Sequence, residues 1–240
     1  MNLSLLSLGF LLGMRHAMES DHLAAVASLA TRGGSLRYNV WQGAAWGLGH
    51  TLTLFFFGSI VLLVDTVIPQ RLSQGLEFAV GAMLVLLGAD VLRRLLRQRL
   101  HVHAHRHADG TLHVHAHSHA GERGHAPVHH HPHPIGQGGF PLRALLVGLM
   151  HGMAGSAALI LLTLQTVSSP LAGLGYIALF GIGSIAGMAL LSLVIALPLR
   201  LSAAALTGLH NGMQALIGLA TVTLGCFMVY DIGFRGGLFV

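Results

Sequence analysis

The sequence predicts an all-α, polytopic membrane protein with six transmembrane helices arranged as a 3+3 inverted repeat. Of its 240 residues, 53% are hydrophobic and only 9% are charged, and the mean hydropathy is +0.70. This composition is that of a polytopic membrane protein rather than a soluble one. A span needs roughly 20 apolar residues. Six such stretches lie at about 3–29, 39–66, 75–97, 141–166, 171–198 and 208–231.

The first stretch contains the most informative residues of the chain, the segment His16-Ala17-Met18-Glu19-Ser20-Asp21-His22. Ionisable groups at membrane depth cost a few kcal/mol each, so they usually mark an ion path or a bound ion. Two imidazoles and two carboxylates in seven residues therefore predict a metal site. The alternative is a structural network of ion pairs that holds no metal.

Helix geometry limits how this segment can bind one ion. At 100° per residue, Asp21 lies about 140° around the helix from His16, so an unbroken helix cannot direct all four groups to one point. Either the helix unwinds near Ser20, as discontinuous transporter helices do, or the groups divide the work. In the second case Arg15 and Glu19 form a structural i,i+4 ion pair, and the other three groups are the ligands.

Residues of the two halves match at a nearly constant offset, which predicts a duplicated three-span unit. The matches are Gly13, His16 and Met18 with Gly148, His151 and Met153, then Gly47 and Gly49 with Gly181 and Gly183, then Gly81 and Gly88 with Gly218 and Gly225. Because three spans is an odd number, the two units must be inverted, with the cargo near the midplane between them. The predicted repeats are 1–97 and 140–240, joined by a loop at 98–139.

Three histidines are expected to converge between these repeats. His16, His50 and His151 lie roughly 10 to 13 residues into their spans, which corresponds to about 15 to 20 Å of depth. The inverted relation places His16 opposite His151, and His50 opposite Ser184. A lone intramembrane histidine such as His50 is usually functional, although a packing role is the alternative.

The loop at 98–139 is expected to bind metal as a secondary buffer or sensor. It holds thirteen of the eighteen histidines: His101, His103, His105, His107, His113, His115, His117, His119, His125, His129, His130, His131 and His133. The segment is too polar and too broken by Pro and Gly to fold alone, so we expect it to be disordered until metal binds. A plain linker or a tag remnant is the alternative. Imidazole suits Zn, Cu, Ni and Co alike.

Arginine positions predict the orientation. The chain has thirteen Arg and no Lys, and ten Arg lie in or beside the connections after spans one, three and five: Arg32, Arg37, Arg93, Arg94, Arg97, Arg99, Arg106, Arg123, Arg143 and Arg200. Only Arg71 and Arg235 lie on the opposite side. The positive-inside rule therefore puts both termini outside the cytoplasmic membrane and the histidine-rich loop in the cytoplasm. The net charge of +5 describes that face, and no nucleic acid is expected as a partner.

Two motifs resemble a known family. The pattern H-A-x-[acid]-x-D-H, from Arg15-His16-Ala17 through Asp21-His22, resembles the signature of the nickel/cobalt permease superfamily, and Leu48-Gly49-His50-Thr51 resembles its next-helix motif. The segment 148–158 is similar to the branch of urease-accessory-type membrane permeases. The resemblance implies secondary transport of Ni(II) or Co(II), with His16, Asp21, His22 and His50 as functional positions. The chain departs from the family in having Glu19 in place of aspartate, six predicted spans rather than eight, and His151 in a Gly- and Ser-rich motif.

The function expected from these patterns is uptake of Ni(II) or Co(II), with Zn(II) as a further cation, by alternating access and without enzymatic activity or a permanently bound cofactor. The expected metal residues are His16, Asp21, His22, His50, His151 and Glu19. Expected partners are the cation, the bilayer, and a cytoplasmic metallochaperone or a maturation factor of urease or hydrogenase. Metal efflux is an alternative. An intramembrane metal-dependent hydrolase or a non-conducting metal sensor would be of another class.

Overall fold

The computed structural model of the chain describes residues 3–64, 69–97, 100–106, 112–118, 140–154 and 169–239. Seven α-helices lie in these ranges: α1 Leu3–His16, α2 Ser20–Ala30, α3 Leu36–Val64, α4 Gln70–Arg97, α5 Leu142–Ala154, α6 Pro170–Ala205 and α7 Thr207–Tyr230. A short π-helix, Asp231–Arg235, follows α7. The N-terminus of α6 is capped by Ser169, whose side chain accepts a hydrogen bond from the backbone N–H of Ala172, and Pro170 occupies its first turn.

Four of these helical segments are long and apolar enough to cross a membrane: Leu36–Val61, Gln70–Arg97, Leu171–Ala203 and Thr207–Arg235. Helix α5 contains a shorter apolar segment, Leu142–Gly152. The remainder of the predicted fourth span, from 155 onward, lies outside the described residues. The chain is thus a helical membrane protein, as predicted. The count of six spans stays a prediction.

The first predicted span, 3–29, is interrupted. Helix α1 ends at His16 and α2 begins at Ser20. A turn joins them, in which the N–H of Glu19 donates a 3.1 Å hydrogen bond to the carbonyl of His16. Glu19 has extended backbone angles, φ −62° and ψ 150°. Asp21 lies in the first turn of α2, where the helix dipole favours a negative charge. Of the two alternatives drawn from helix geometry, the interrupted helix is the one found.

Glycines bring the helix backbones into direct contact around this interruption. A Cβ atom added at Gly13 in α1 would overlap the carbonyl oxygen of Phe180 in α6, and one added at Gly148 in α5 would overlap that of Trp46 in α3. Small residues permit this approach because no side chain separates the backbones. The two contacts hold the end of α1 against α6, and α5 against α3.

The contacts also give the relative directions of the helices. Gly9 contacts Tyr176 and Gly13 contacts Phe180, so α1 and α6 run in parallel. By the same reasoning α3 and α5 are parallel, whereas α3 and α6, and also α4 and α7, are antiparallel. Each helix of the first half therefore packs against a helix of the second half.

Within the histidine-rich loop the structure describes a two-stranded antiparallel ribbon, with β1 at Leu100–Arg106 and β2 at Leu112–Ser118. This ribbon is an addition to the all-α prediction. Its signals in the sequence are the alternation of His with other residues and the Asp109-Gly110 pair, which is typical of hairpin turns. The remaining residues of the loop lie outside the described ones, so disorder before metal binding stays a prediction.

An ion cluster ties three segments together at one end of the bundle. The carboxylate of Asp90 in α4 lies 2.6 Å from a guanidinium nitrogen of Arg32, 3.3 Å from one of Arg94 and 3.6 Å from one of Arg143. Arg32 follows α2 and Arg143 belongs to α5. Arginines from three separate segments thus gather at one end of the helices.

Candidate metal centre

Four imidazoles meet in the interior of the bundle. His16 ends α1, His22 lies in the first turn of α2, and His50 and His151 come from α3 and α5. All four are buried. The ring of His22 is central, with its centroid 4.4 Å from that of His16, 5.0 Å from that of His50 and 4.4 Å from that of His151. The predicted convergence of His16, His50 and His151 is therefore organised around His22.

Two groups of donor atoms overlap at this ring. Donors of His16, His22 and His50 lie within 4.8 Å of one another, and so do donors of Asp21, His22 and His151. Nitrogen and oxygen ligands bind a divalent ion at about 2 Å. Small side-chain movements would therefore close either group around one ion.

Carboxylates hold three of the rings. Asp21 bonds to His22 through one oxygen, 2.9 Å from Nδ1, and to His151 through the other, 2.8 Å from Nε2. Glu19 lies 2.9 Å from Nδ1 of His16. The fourth ring has no carboxylate partner among the described residues, and its Nε2 lies 3.1 Å from Nε2 of His16. Asp21 thus connects α2 with α5 across the two halves of the chain.

Three ring nitrogens in the cluster are buried and find no hydrogen-bond partner in the described part of the chain: Nε2 of His22, Nδ1 of His50 and Nδ1 of His151. A buried polar atom without a partner costs about 1–3 kcal/mol, and each such atom needs an explanation. Three in one cluster are explained together if these atoms bind something that arrives from outside.

The carboxylates are the accessible part of the site. The side chain of Glu19 is 57% exposed and that of Asp21 is 23% exposed, whereas those of His16 and His22 are 8% or less exposed. A cation that approaches the interruption between α1 and α2 would meet negative charge before it meets nitrogen.

The predicted ion pair between Arg15 and Glu19 stays a prediction, and the contact that the structure gives Glu19 is a different one. The predicted pair required an i,i+4 relation on a continuous helix, but α1 ends at His16 and Glu19 adopts extended backbone angles. Glu19 instead contacts His16. All six predicted metal residues nevertheless lie in this one cluster.

Trp46 also belongs to the site, although it is not among the residues predicted from the sequence. It is fully buried, and its ring centroid lies 5.2 Å from that of His22 and 5.3 Å from that of His151. Its indole N–H has no partner in the described part of the chain. The signal was its position four residues before His50, which places both residues on one face of α3.

Comparison with known proteins decides the family. The chain is similar to the urease accessory protein UreH of Bacillus sp. (strain TB-90), with 36% identity over an alignment of 241 positions. The alignment covers 99% of this chain and 95% of that protein. The chain belongs to the urease-accessory branch of the nickel/cobalt permeases. As a permease it is a membrane transport protein and not an enzyme. No protein-family model matches it, and no solved structure matches it.

Proposed function

We propose that this permease takes up Ni(II) or Co(II) across the cytoplasmic membrane by alternating access, and that the cluster around His22 is the transport site. The observation that carries the proposal is the group of three buried imidazole donors, from His16, His22 and His50, within 4.8 Å of one another. Imidazole favours borderline transition metals, whereas Mg(II) and Ca(II) prefer oxygen ligands.

Alternating access would use an inverted repeat of 1–97 and 140–240. Support comes from contacts that recur when the halves are exchanged. The contact of Gly13 with Phe180 becomes that of Gly148 with Trp46, since the glycine moves 135 positions forward and its partner 134 back. Two further exchanges are Gly49 against Leu145 with Gly183 against Phe10, and Gly81 against Gly225 with Gly218 against Gly88. The parallel and antiparallel pairs described above fit this two-fold relation.

The orientation that we propose puts both termini outside and the Asp90 ion cluster, with the histidine-rich loop, in the cytoplasm. It is supported by the gathering of Arg32, Arg94 and Arg143 around Asp90 at one end of the bundle, because cytoplasmic flanks are rich in arginine. An inside-negative potential then favours entry of a dication by about 4.6 kcal/mol per 100 mV. Uptake in this direction needs no ATP.

We further propose that the cargo passes to a cytoplasmic metallochaperone or to a maturation factor of urease or hydrogenase. The relative in Bacillus is named a urease accessory protein, which fits a supply of nickel to that enzyme. The loop at 98–139 would hold incoming metal near the exit, with no cofactor bound permanently by the transporter.

The test is metal flux in sealed vesicles that contain the purified full-length chain. We expect saturable uptake of Ni(II) or Co(II), faster when the potential is negative on the receiving side, with Zn(II) and Cu(II) as competitors. His129→Ala replaces a histidine outside the cluster and serves as the control for variants of the cluster histidines. Flux driven only in the opposite direction would indicate efflux, and binding without flux would indicate a sensor.

A further inference from the structure

We infer that Asp21 and Glu19 act as positioning residues, which fix the ring tautomers of three histidines so that the cation is bound by nitrogen alone. This inference rests on the proposed function of the cluster, and it goes further by assigning separate roles to the carboxylates and the imidazoles. The juxtaposition that carries it is the bonding of Asp21 to both His22 and His151.

An ionised carboxylate can only accept hydrogen bonds. The rings bonded to Asp21 must therefore carry their protons on the facing atoms, Nδ1 of His22 and Nε2 of His151. Each neutral ring then has a lone pair on its other nitrogen. Those atoms, Nε2 of His22 and Nδ1 of His151, are two of the buried nitrogens that have no partner in the described part of the chain.

The same reasoning applies to Glu19. Its oxygen accepts the Nδ1 proton of His16 at 2.9 Å, which leaves a lone pair on Nε2 of that ring. That atom faces Nε2 of His50 at 3.1 Å. A nitrogen donor of His16 therefore lies on the side of the ring away from the exposed carboxylate.

Direct ligation by Asp21 would disturb the hydrogen bonds that hold the two rings. An oxygen turned to the metal would release the N–H of His22 or of His151, and each ring is buried. A buried donor without an acceptor costs about 1–3 kcal/mol. Metal-binding histidines in proteins commonly donate their second N–H to a carboxylate, which orients the ring and makes its free nitrogen a stronger ligand.

This division of roles also balances the charge of the loaded site. Two carboxylates and one dication sum to zero when the imidazoles are neutral. A loaded cluster therefore presents no net charge to its apolar surroundings, where an isolated charge is costly. Nitrogen-only ligation would in turn select against Mg(II) and Ca(II).

The experiment is X-ray absorption of Ni(II) bound to a full-length variant in which the thirteen loop histidines are glutamine. Outer-shell scattering from imidazole rings counts histidine ligands, and a carboxylate ligand adds none. We expect three or more imidazoles. Asp21→Asn should weaken Ni(II) binding by about 10- to 100-fold with the same first-shell distances and ring count. His22→Gln should remove one ring from the count.

Glu19 offers a matched pair of variants. Glu19→Gln keeps an oxygen that can accept the N–H of His16, so we expect affinity within about threefold of the parent, whereas Glu19→Ala should lose about tenfold or more. Equal losses in both variants would overturn the positioning role of Glu19. A first shell that loses an oxygen ligand in Asp21→Ala would overturn that of Asp21.

These outcomes are separable from the transport proposal. A chain that binds Ni(II) through nitrogen alone but shows no flux in vesicles would contradict the proposed transport and leave this inference intact. A chain with normal flux whose spectrum shows a carboxylate ligand would contradict this inference and leave the transport proposal intact.

Discussion

Two regions of this permease are rich in histidine, and they differ in how each ring is held. In the buried cluster the rings come from four different helices, and Asp21 and Glu19 orient three of them. In the loop, the six histidines of the described ribbon belong to two adjacent strands. Many imidazoles indicate affinity for metal in both places. Burial and fixed partners distinguish the cluster that we propose as the transport site.

The ribbon has an order of its own. Its register pairs His101 with His117, and the next two pairs, His103 with His115 and His105 with His113, follow at alternate positions. The register therefore sets the six histidines at three opposed positions of the ribbon. Directly opposed residues are close neighbours in an antiparallel pair. We expect this ladder to store metal rather than to conduct it.

The largest effect should come from removing the central ring of the cluster. His22→Ala deletes the imidazole common to both donor groups, and we expect Ni(II) flux in vesicles to fall by at least about 100-fold. The matched comparison is the full-length variant in which all thirteen loop histidines are glutamine, which should retain flux. If His22→Ala transported normally, the cluster would not be the transport site.

A packing change close to the cluster should have the next largest effect. Gly148→Ala places a Cβ atom on the carbonyl oxygen of Trp46, and we expect a loss of about 1–3 kcal/mol in stability, with a lower melting temperature in detergent. Gly75→Ala in α4, where an added Cβ meets nothing within 4 Å, is the control, and it should melt no lower than the parent because alanine favours a helix more than glycine does. Equal melting temperatures for the two variants would mean that α3 and α5 are not in close contact.

The residues of the cluster could be predicted from the sequence, but their bonding could not. His16, His22 and His50 stood out because ionisable groups are costly in lipid, and the offset of the halves added His151. The sharing of Asp21 between His22 and His151 depends on how α5 packs against α3 and so brings His151 to α2, which links positions 130 residues apart. No local pattern encodes such a contact.

The interruption between α1 and α2 shows the same limit. Helical periodicity excluded an unbroken helix that used all four groups, yet it left two solutions open. Only the backbone conformation of Glu19 separates them. It also explains why the partner of Glu19 is His16 rather than Arg15.

Deleting residues 101–133 should have a smaller effect than either change above. The cluster contains no residue of this segment, so we expect basal flux within about twofold of the parent, because connecting segments tolerate deletions better than the elements that they join. The number of metal ions bound per chain should fall, as measured by equilibrium dialysis. A deletion without flux would show that the loop is part of the path.

The smallest effect should come from moving the histidines of one strand to its other face. Exchanging His113 with Val114, His115 with Ala116 and His117 with Ser118 keeps the composition of the chain but removes all three opposed pairs of the described register. Because a metal held by two opposed rings gains affinity from their fixed spacing, we expect weaker binding to the loop and no change in flux. A disordered loop would bind metal equally well in both arrangements, since its histidines would meet the ion in any order. Equal metal affinity in the exchanged chain would therefore indicate a disordered buffer. Weaker metal binding would show that the paired register of β1 and β2 holds the metal.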